Sequence, residues 1–339
     1  MFKKKTVIIV GAGASKEAEL PLGYELKNQI AELTKFTFGH DGFQHGDYDF
    51  YNELRRSAQF SQHARRLRTA CSKVSRGINF VSSVDSFLEI HGVDPDIQVC
   101  TKAAIAQIIL RAEAKSKLAV DRSNIYNQLE PGKLDKTWYQ ELAQILFEKV
   151  GSDDIKQAFV PVTFIIFNYD RCVEWLIFHA IQGLYFLDGL ASAQSMKGAN
   201  FLHPFGDVGS PPWLGGAAPS EEFGADVSGR LVSVCERIRT FTERVESTSC
   251  VAEIKDTVAN AETLECMALL QPNERGASAK RIFGTSVGMS GNDKAGIERQ
   301  LAKIFTPTAG TRSRPPKVTL DALTCVEFLR QYKRSLAVS

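Results

Sequence analysis

Two side chains in this sequence have the type and setting for bond-breaking chemistry. Asn168 stands in Phe167-Asn168-Tyr169-Asp170, directly after the apolar, β-branched run 160–167, and His203 follows the short apolar run 199–202 and precedes Pro204-Phe205-Gly206. A neutral amide can orient water or a hydroxyl, and an imidazole can move protons near neutral pH. A third feature, Gly11-Ala12-Gly13-Ala14-Ser15, follows the strand-like run 5–10. Glycine there lets the backbone approach a pyrophosphate, and a helix start supplies oriented N–H groups. The dinucleotide fingerprint is incomplete, because Lys16 stands where its third glycine would be, and no GxxxxGK[ST] occurs. Asp170 also reads as the cap of a helix that begins at Arg171.

For these features to meet, each must lie at the carboxyl end of a strand in one parallel sheet. The pattern predicts strands over 5–10, 160–167 and 199–203, and short strands over 264–270 and 281–286. Helices are expected over 15–33, 171–181, 227–245, 293–305 and 320–336. From about 45 to 155 the spacing is helical almost throughout, in segments 51–75, 83–91, 101–120 and 136–150, with Ser83 and Thr101 as N-caps and a break at Glu130-Pro131-Gly132. The expected architecture is α/β: a Rossmann-like parallel sheet with a large helical insertion, occupying 1–310. A linker at Pro315-Pro316 and a terminal helix would fill 311–339.

Composition sets the outer limits. The chain has 339 residues, 44% hydrophobic and 24% charged, which excludes a disordered or fibrous protein. A net charge of +2 gives no overall pull toward nucleic acid or a membrane surface. The seven cysteines, at 71, 100, 172, 235, 250, 266 and 325, are odd in number and widely spaced with no CxxC, which argues against a disulfide framework or zinc ribbon and for a reducing compartment. No apolar run approaches the roughly 20 residues of a membrane helix. The chain is therefore read as cytoplasmic, with no membrane partner. Between Tyr51 and Phe80 seven cations (Arg55, Arg56, Arg65, Arg66, Arg68, Lys73, Arg76) face Glu53 alone. Nucleic acid or an acidic partner could use such a face, and a solvated surface or an oligomer contact is the plainer reading.

Taken in order, Gly11-Ala12-Gly13-Ala14-Ser15 with Pro21 a short way on, Phe167-Asn168-Tyr169-Asp170 and His203-Pro204-Phe205-Gly206 resemble the glycine turn, Asn-x-Asp element and His-Gly element of the sirtuin-like (silent information regulator) family. Ser82-Ser83-Val84-Asp85-Ser86-Phe87-Leu88-Glu89 is similar to a helical signature of bacterial members in antiphage defence. The resemblance spans residues 7–209. The chain departs from the family's protein deacetylases: Glu19-Leu20-Pro21-Leu22-Gly23 replaces their Gly-Ile-Pro-x-Phe-Arg segment, the four-cysteine zinc module is missing, and Pro204 and Phe205 are inserted in the His-Gly element.

The resemblance implies an NAD hydrolase (NADase) that cuts the nicotinamide–ribose bond with water as acceptor, giving nicotinamide and ADP-ribose, without zinc or another metal. It implies that Gly11, Ala12, Gly13 and Ser15 hold the pyrophosphate, with Pro21 also in the NAD-binding set. Asn168 would orient the ribose or the water, Asp170 would fix the turn and the ribose side, and His203 would be the general base. It also implies an antiphage effector that depletes NAD, acting as a homo-oligomer or under a sensor subunit such as a HerA-type ATPase or an Argonaute-like protein. Two other readings stay open: a catalytically silent domain that senses NAD or an ADP-ribose derivative, and an NAD-dependent oxidoreductase.

Overall fold

A computed structural model describes residues 1–2, 5–57, 61–121, 128–214, 220–239, 263–266, 281–285 and 317–337. Its centre is β1 (Thr6–Val10), a strand in which all five residues are buried. Such a run suits a parallel strand covered on both faces. β1 pairs in parallel with β4 (Val162–Ile166) on one side and with β6 (Thr263–Cys266) on the other. The sheet continues outward through β5 (Asn200–Leu202), and on the far side through β7 (Arg281–Thr285) and β8 (Lys317–Asp321). The order is β5-β4-β1-β6-β7-β8, and every neighbouring pair is parallel. Starting from β1, the chain therefore builds the sheet first in one direction and then in the other.

The segment between β1 and β4 is mostly helical. It contains α1 (Ala12–Ser15), α2 (Gly23–Leu33), α3 (Tyr48–Ser57), α4 (Ser61–Gly77), α5 (Val84–Ile90), α6 (Pro95–Lys115) and α7 (Trp138–Phe147). It also holds an antiparallel hairpin, β2 (Thr37–Gly39) and β3 (Gly42–His45), that periodicity did not reveal. α8 (Cys172–Tyr185), α9 (Gly189–Ser195) and α10 (Leu231–Cys235) follow, and α11 (Cys325–Ala337) closes the described chain. No single helix among the described residues is long and apolar enough to cross a membrane.

Two apolar cores result. One unites β1 and β4 with α7, α8 and α11, around Trp138, Phe164, Leu176 and Phe328. The other joins α2 through α6 with α10, around Ile30, Phe50, Cys71 and Ile105.

Several expectations are corrected. Thr101 is buried within α6 and is not its cap; Asp94 accepts from the Ile97 N–H at 3.2 Å, with Pro95 in the first turn. The predicted helix from Leu320 is strand β8 followed by α11. Thr324 and Glu327 form a capping box at the start of that helix, the Glu327 carboxylate accepting from the Thr324 N–H at 2.9 Å. Beyond the expected boundary at residue 310, β8 hydrogen-bonds to β7, and Cys325, Phe328 and Leu329 belong to the sheet's own core. The expected helix over 293–305 lies outside the described residues, as do parts of the expected elements at 227–245 and 264–270. The cations of α4 are partly engaged, Arg66 with Asp96 and Lys73 with Asp94, both at 3.1 Å, while Arg68 covers the Phe38 ring.

Candidate active site

The turns after β1 and β4 and the loop after β5 open onto one cavity of about 280 Å³. Ala12, Ser15 and Pro21 line it from the first turn, and Phe167 to Asp170 from the second. Phe205 enters from the loop after β5 and meets the Phe167 ring at 5.6 Å. Ser82 to Asp85 at the start of α5 also line it, and there Ser83 caps the helix by accepting from the Ser86 N–H at 3.0 Å. The cavity lies where the two cores meet, since Leu20 belongs to the first and Leu26, Val84 and Ile109 to the second.

Ser15, Asn168 and Asp170 are all buried and form a directional chain. The Ser15 hydroxyl donates to Asp170 Oδ2 at 2.8 Å, so its oxygen is free to accept, and it receives the Asn168 Nδ2–H at 2.6 Å. That sequence of donors fixes the amide orientation, which otherwise would be ambiguous between O and N. Asn168 Oδ1 is then the remaining acceptor on a side chain that lines the cavity. Asp170 does two jobs, because its Oδ1 also accepts from the Cys172 N–H at 3.2 Å at the start of α8. Burial raises the Asp170 pKa above the ordinary carboxyl range, against the lowering effect of the Ser15 and Cys172 hydrogen bonds.

His203 is at the same strand ends, although its ring does not line this cavity. Its Nδ1 lies 3.3 Å from the main-chain oxygen of Asn168, and its Nε2 lies 2.5 Å from Glu174 Oε1. Both neighbours are hydrogen-bond acceptors, an arrangement that an imidazolium, with hydrogen on both ring nitrogens, satisfies. Burial alone would lower its pKa, but the Glu174 carboxylate outweighs this and, with Asp207, lifts it to about 9. An imidazolium has no lone pair, so the base role expected of His203 would require the ring to give up a proton first. Asp207 is half-buried, which would raise its pKa, yet His203 and Arg237 lower it from its ordinary value. Gly206 ends the turn by donating its N–H to the His203 carbonyl at 3.0 Å, with φ of +75°. A Cβ at Gly206 would strike the Arg237 carbonyl oxygen, so only glycine fits there.

The structure thus brings Ser15, Pro21, Asn168 and Asp170 together and sets His203 behind Asn168. Gly11 caps α1 with extended backbone, and a Cβ added to Gly13 would meet nothing within 4 Å. Glycine at 13 is therefore not demanded by packing of the chain on itself. Sequence reasoning missed Glu174, although it is the sole carboxylate of the mostly apolar α8, a pattern that signals a buried partner. It also missed Arg171, which is 1% exposed and ion-paired with the fully buried Glu113. Arg171 donates in addition to the carbonyls of Gly209 and Glu222, both at 3.0 Å, pinning the loop after β5.

No family model, curated protein or solved structure matches the chain.

Proposed function

We propose that this chain is an NAD hydrolase on a Rossmann-like core, releasing nicotinamide and ADP-ribose. The observation that carries the reading is the Asp170–Ser15–Asn168 chain, which leaves the amide oxygen as the remaining acceptor of a side chain lining a cavity at the carboxyl ends of β1 and β4. The sheet order supports it: ligands of open α/β sheets sit beyond the strands' carboxyl ends, near the point where the order reverses, here beside β1. The open space at Gly13 supports backbone approach by a pyrophosphate in the turn formed by Gly11, Ala12 and Gly13.

In this reading the C–N bond between ribose and nicotinamide breaks, and its electron pair leaves with the nicotinamide nitrogen. Asn168 Oδ1 accepts from the incoming water or from a ribose hydroxyl. The water oxygen bonds to the sugar carbon and gives up one proton to solvent. The cavity suits the ribose and its leaving ring rather than a whole dinucleotide. Nicotinamide leaves as a neutral ring, so positioning and charge stabilisation can carry much of the acceleration. His203 acts as a positioning residue, its imidazolium holding the Asn168 carbonyl while Glu174 holds the ring. Such an enzyme would drain a cell of NAD, which suits an antiphage effector. Its restraint would come from oligomerisation or from a partner chain such as the ATPase or Argonaute-like protein named above.

The engagement of both His203 nitrogens favours, as a second reading, a domain that binds NAD or an ADP-ribose derivative without cleaving it. Incubation of the purified chain with NAD, with nicotinamide and ADP-ribose quantified, separates the two. Release that disappears in a folded Asn168→Ala variant supports the hydrolase. Saturable NAD binding without nicotinamide supports the sensor, and release that survives Asn168→Ala refutes the proposed chemistry.

A further inference from the structure

A second and larger cavity, of about 740 Å³, lies along α8 and shares no lining residue with the first. Its walls carry two parallel aromatic stacks. Trp175 and Phe223 are 4.9 Å apart at 8°, and Phe178 and Trp213 are 4.2 Å apart at 5°. His179 bridges them, its ring centroid 4.3 Å from that of Trp175 and 5.3 Å from that of Phe178.

Two polar atoms in this apolar setting have no hydrogen-bond partner. One is Nε2 of His179, a residue only 8% exposed, and the other is Nε1 of Trp213. The neighbouring Trp175 shows what satisfaction looks like here, donating to the Leu118 carbonyl at 2.9 Å. Buried polar groups are ordinarily paired, so two orphans on residues that line one cavity point to a ligand that supplies partners there. Burial lowers the His179 pKa to about 4, so the ring is neutral at neutral pH and can accept at one nitrogen. The Trp213 indole can only donate. A ligand here would therefore offer an acceptor to Trp213 and, to His179 Nε2, a donor or an acceptor according to the ring's tautomer. Flat aromatic walls ask for a flat ring. Charge narrows the class further: Glu222 and Asp226 line the cavity, and no Lys or Arg is among its described lining residues, which disfavours a phosphate.

We propose that this second cavity binds an uncharged planar nitrogen heterocycle with ring acceptors and an amino donor, of the aminopurine class, as free base or nucleoside rather than nucleotide. The site is independent of the hydrolase reading and stands or falls separately.

The test uses adenosine as probe and the indole N–H resonances of the full-length chain as reporters. The chain has three tryptophans, and they sort the sites: Trp213 and Trp175 line the second cavity, while Trp138 donates to the Ala14 carbonyl beneath the first turn. Adenosine should shift the Trp213 resonance saturably below about 1 mM, and do so equally in Asn168→Ala protein. Trp213→Phe keeps the stacked ring and removes the donor, so it should weaken adenosine binding by roughly 5- to 100-fold in calorimetry, and His179→Leu should weaken it similarly. Adenosine monophosphate should bind at least about tenfold more weakly, because its phosphate meets carboxylates. The proposal is overturned if adenosine shifts only Trp138, or none of the three. Equal affinity for the monophosphate, or unchanged affinity in both variants, overturns it too. The titration of wild-type protein decides the matter even if a variant fails to fold.

Discussion

The orientation of Asn168 depends on a single hydroxyl. Without Ser15 Oγ, the amide loses its acceptor and Asp170 loses its donor, and both are buried. Ser15→Ala should therefore cost about 1–3 kcal/mol, the usual penalty for a stranded buried group. Loss of that acceptor should also lower kcat/KM for nicotinamide release, and unaltered kinetics would show that the amide is oriented by something else. His203 makes a prediction in pH. Folding raises its pKa from 6.5 to about 9, so the stabilisation is complete below about pH 6.5 and is lost as pH climbs through 9. Thermal unfolding of the wild type should show a Tm that declines across that window, and Glu174→Gln should flatten the decline. Nicotinamide release should fade over the same window if His203 positions Asn168. Ser15, Asn168 and Asp170 were legible because each follows a strand-like run at a turn. Glu174 was not, since its partner is 29 residues away and becomes a neighbour only after α8 docks.

At the level of elements, the loop after β5 is held by the ion pair of Arg171 and Glu113, which joins the start of α8 to α6. Breaking a buried pair strands the surviving charge, a loss of about 3–5 kcal/mol. Arg171→Met should lower the Tm accordingly in calorimetry and expose the 207–214 stretch to protease; a wild-type Tm would mean that Glu113 finds another partner or a proton. β1, β4 and β5 could be anticipated from short apolar runs that stop at turn residues. β8 could not, because Lys317-Val318-Thr319-Leu320-Asp321 runs close to the helical stretch behind it, and only pairing with β7 decides for strand. The hairpin of β2 and β3 escaped for a related reason. Its pairing is stabilised by the rings of Phe36, Phe38, Phe43 and Tyr51, an aromatic cluster assembled from three elements.

Across the whole molecule, the α/β arrangement and the helical insertion followed from periodicity, whereas the second cavity did not. Its walls come from α8, the end of α6 and the loop after β5, whose proximity is a product of tertiary packing. The first cavity has a different kind of composite wall, with one side belonging to the sheet's core and the other to the insertion's core. An NAD analogue that resists cleavage should raise the Tm of wild-type protein in proportion to the logarithm of its concentration, and leave Asp85→Ala less responsive. Scanning calorimetry is the check, with a Tm indifferent to the analogue as the contrary result. Because the occupant would touch both halves, it would work as a rivet. Halves that loosen one after the other when the seam is empty would come apart in a single sharper step once it is filled, so the width of the melting transition would itself report occupancy.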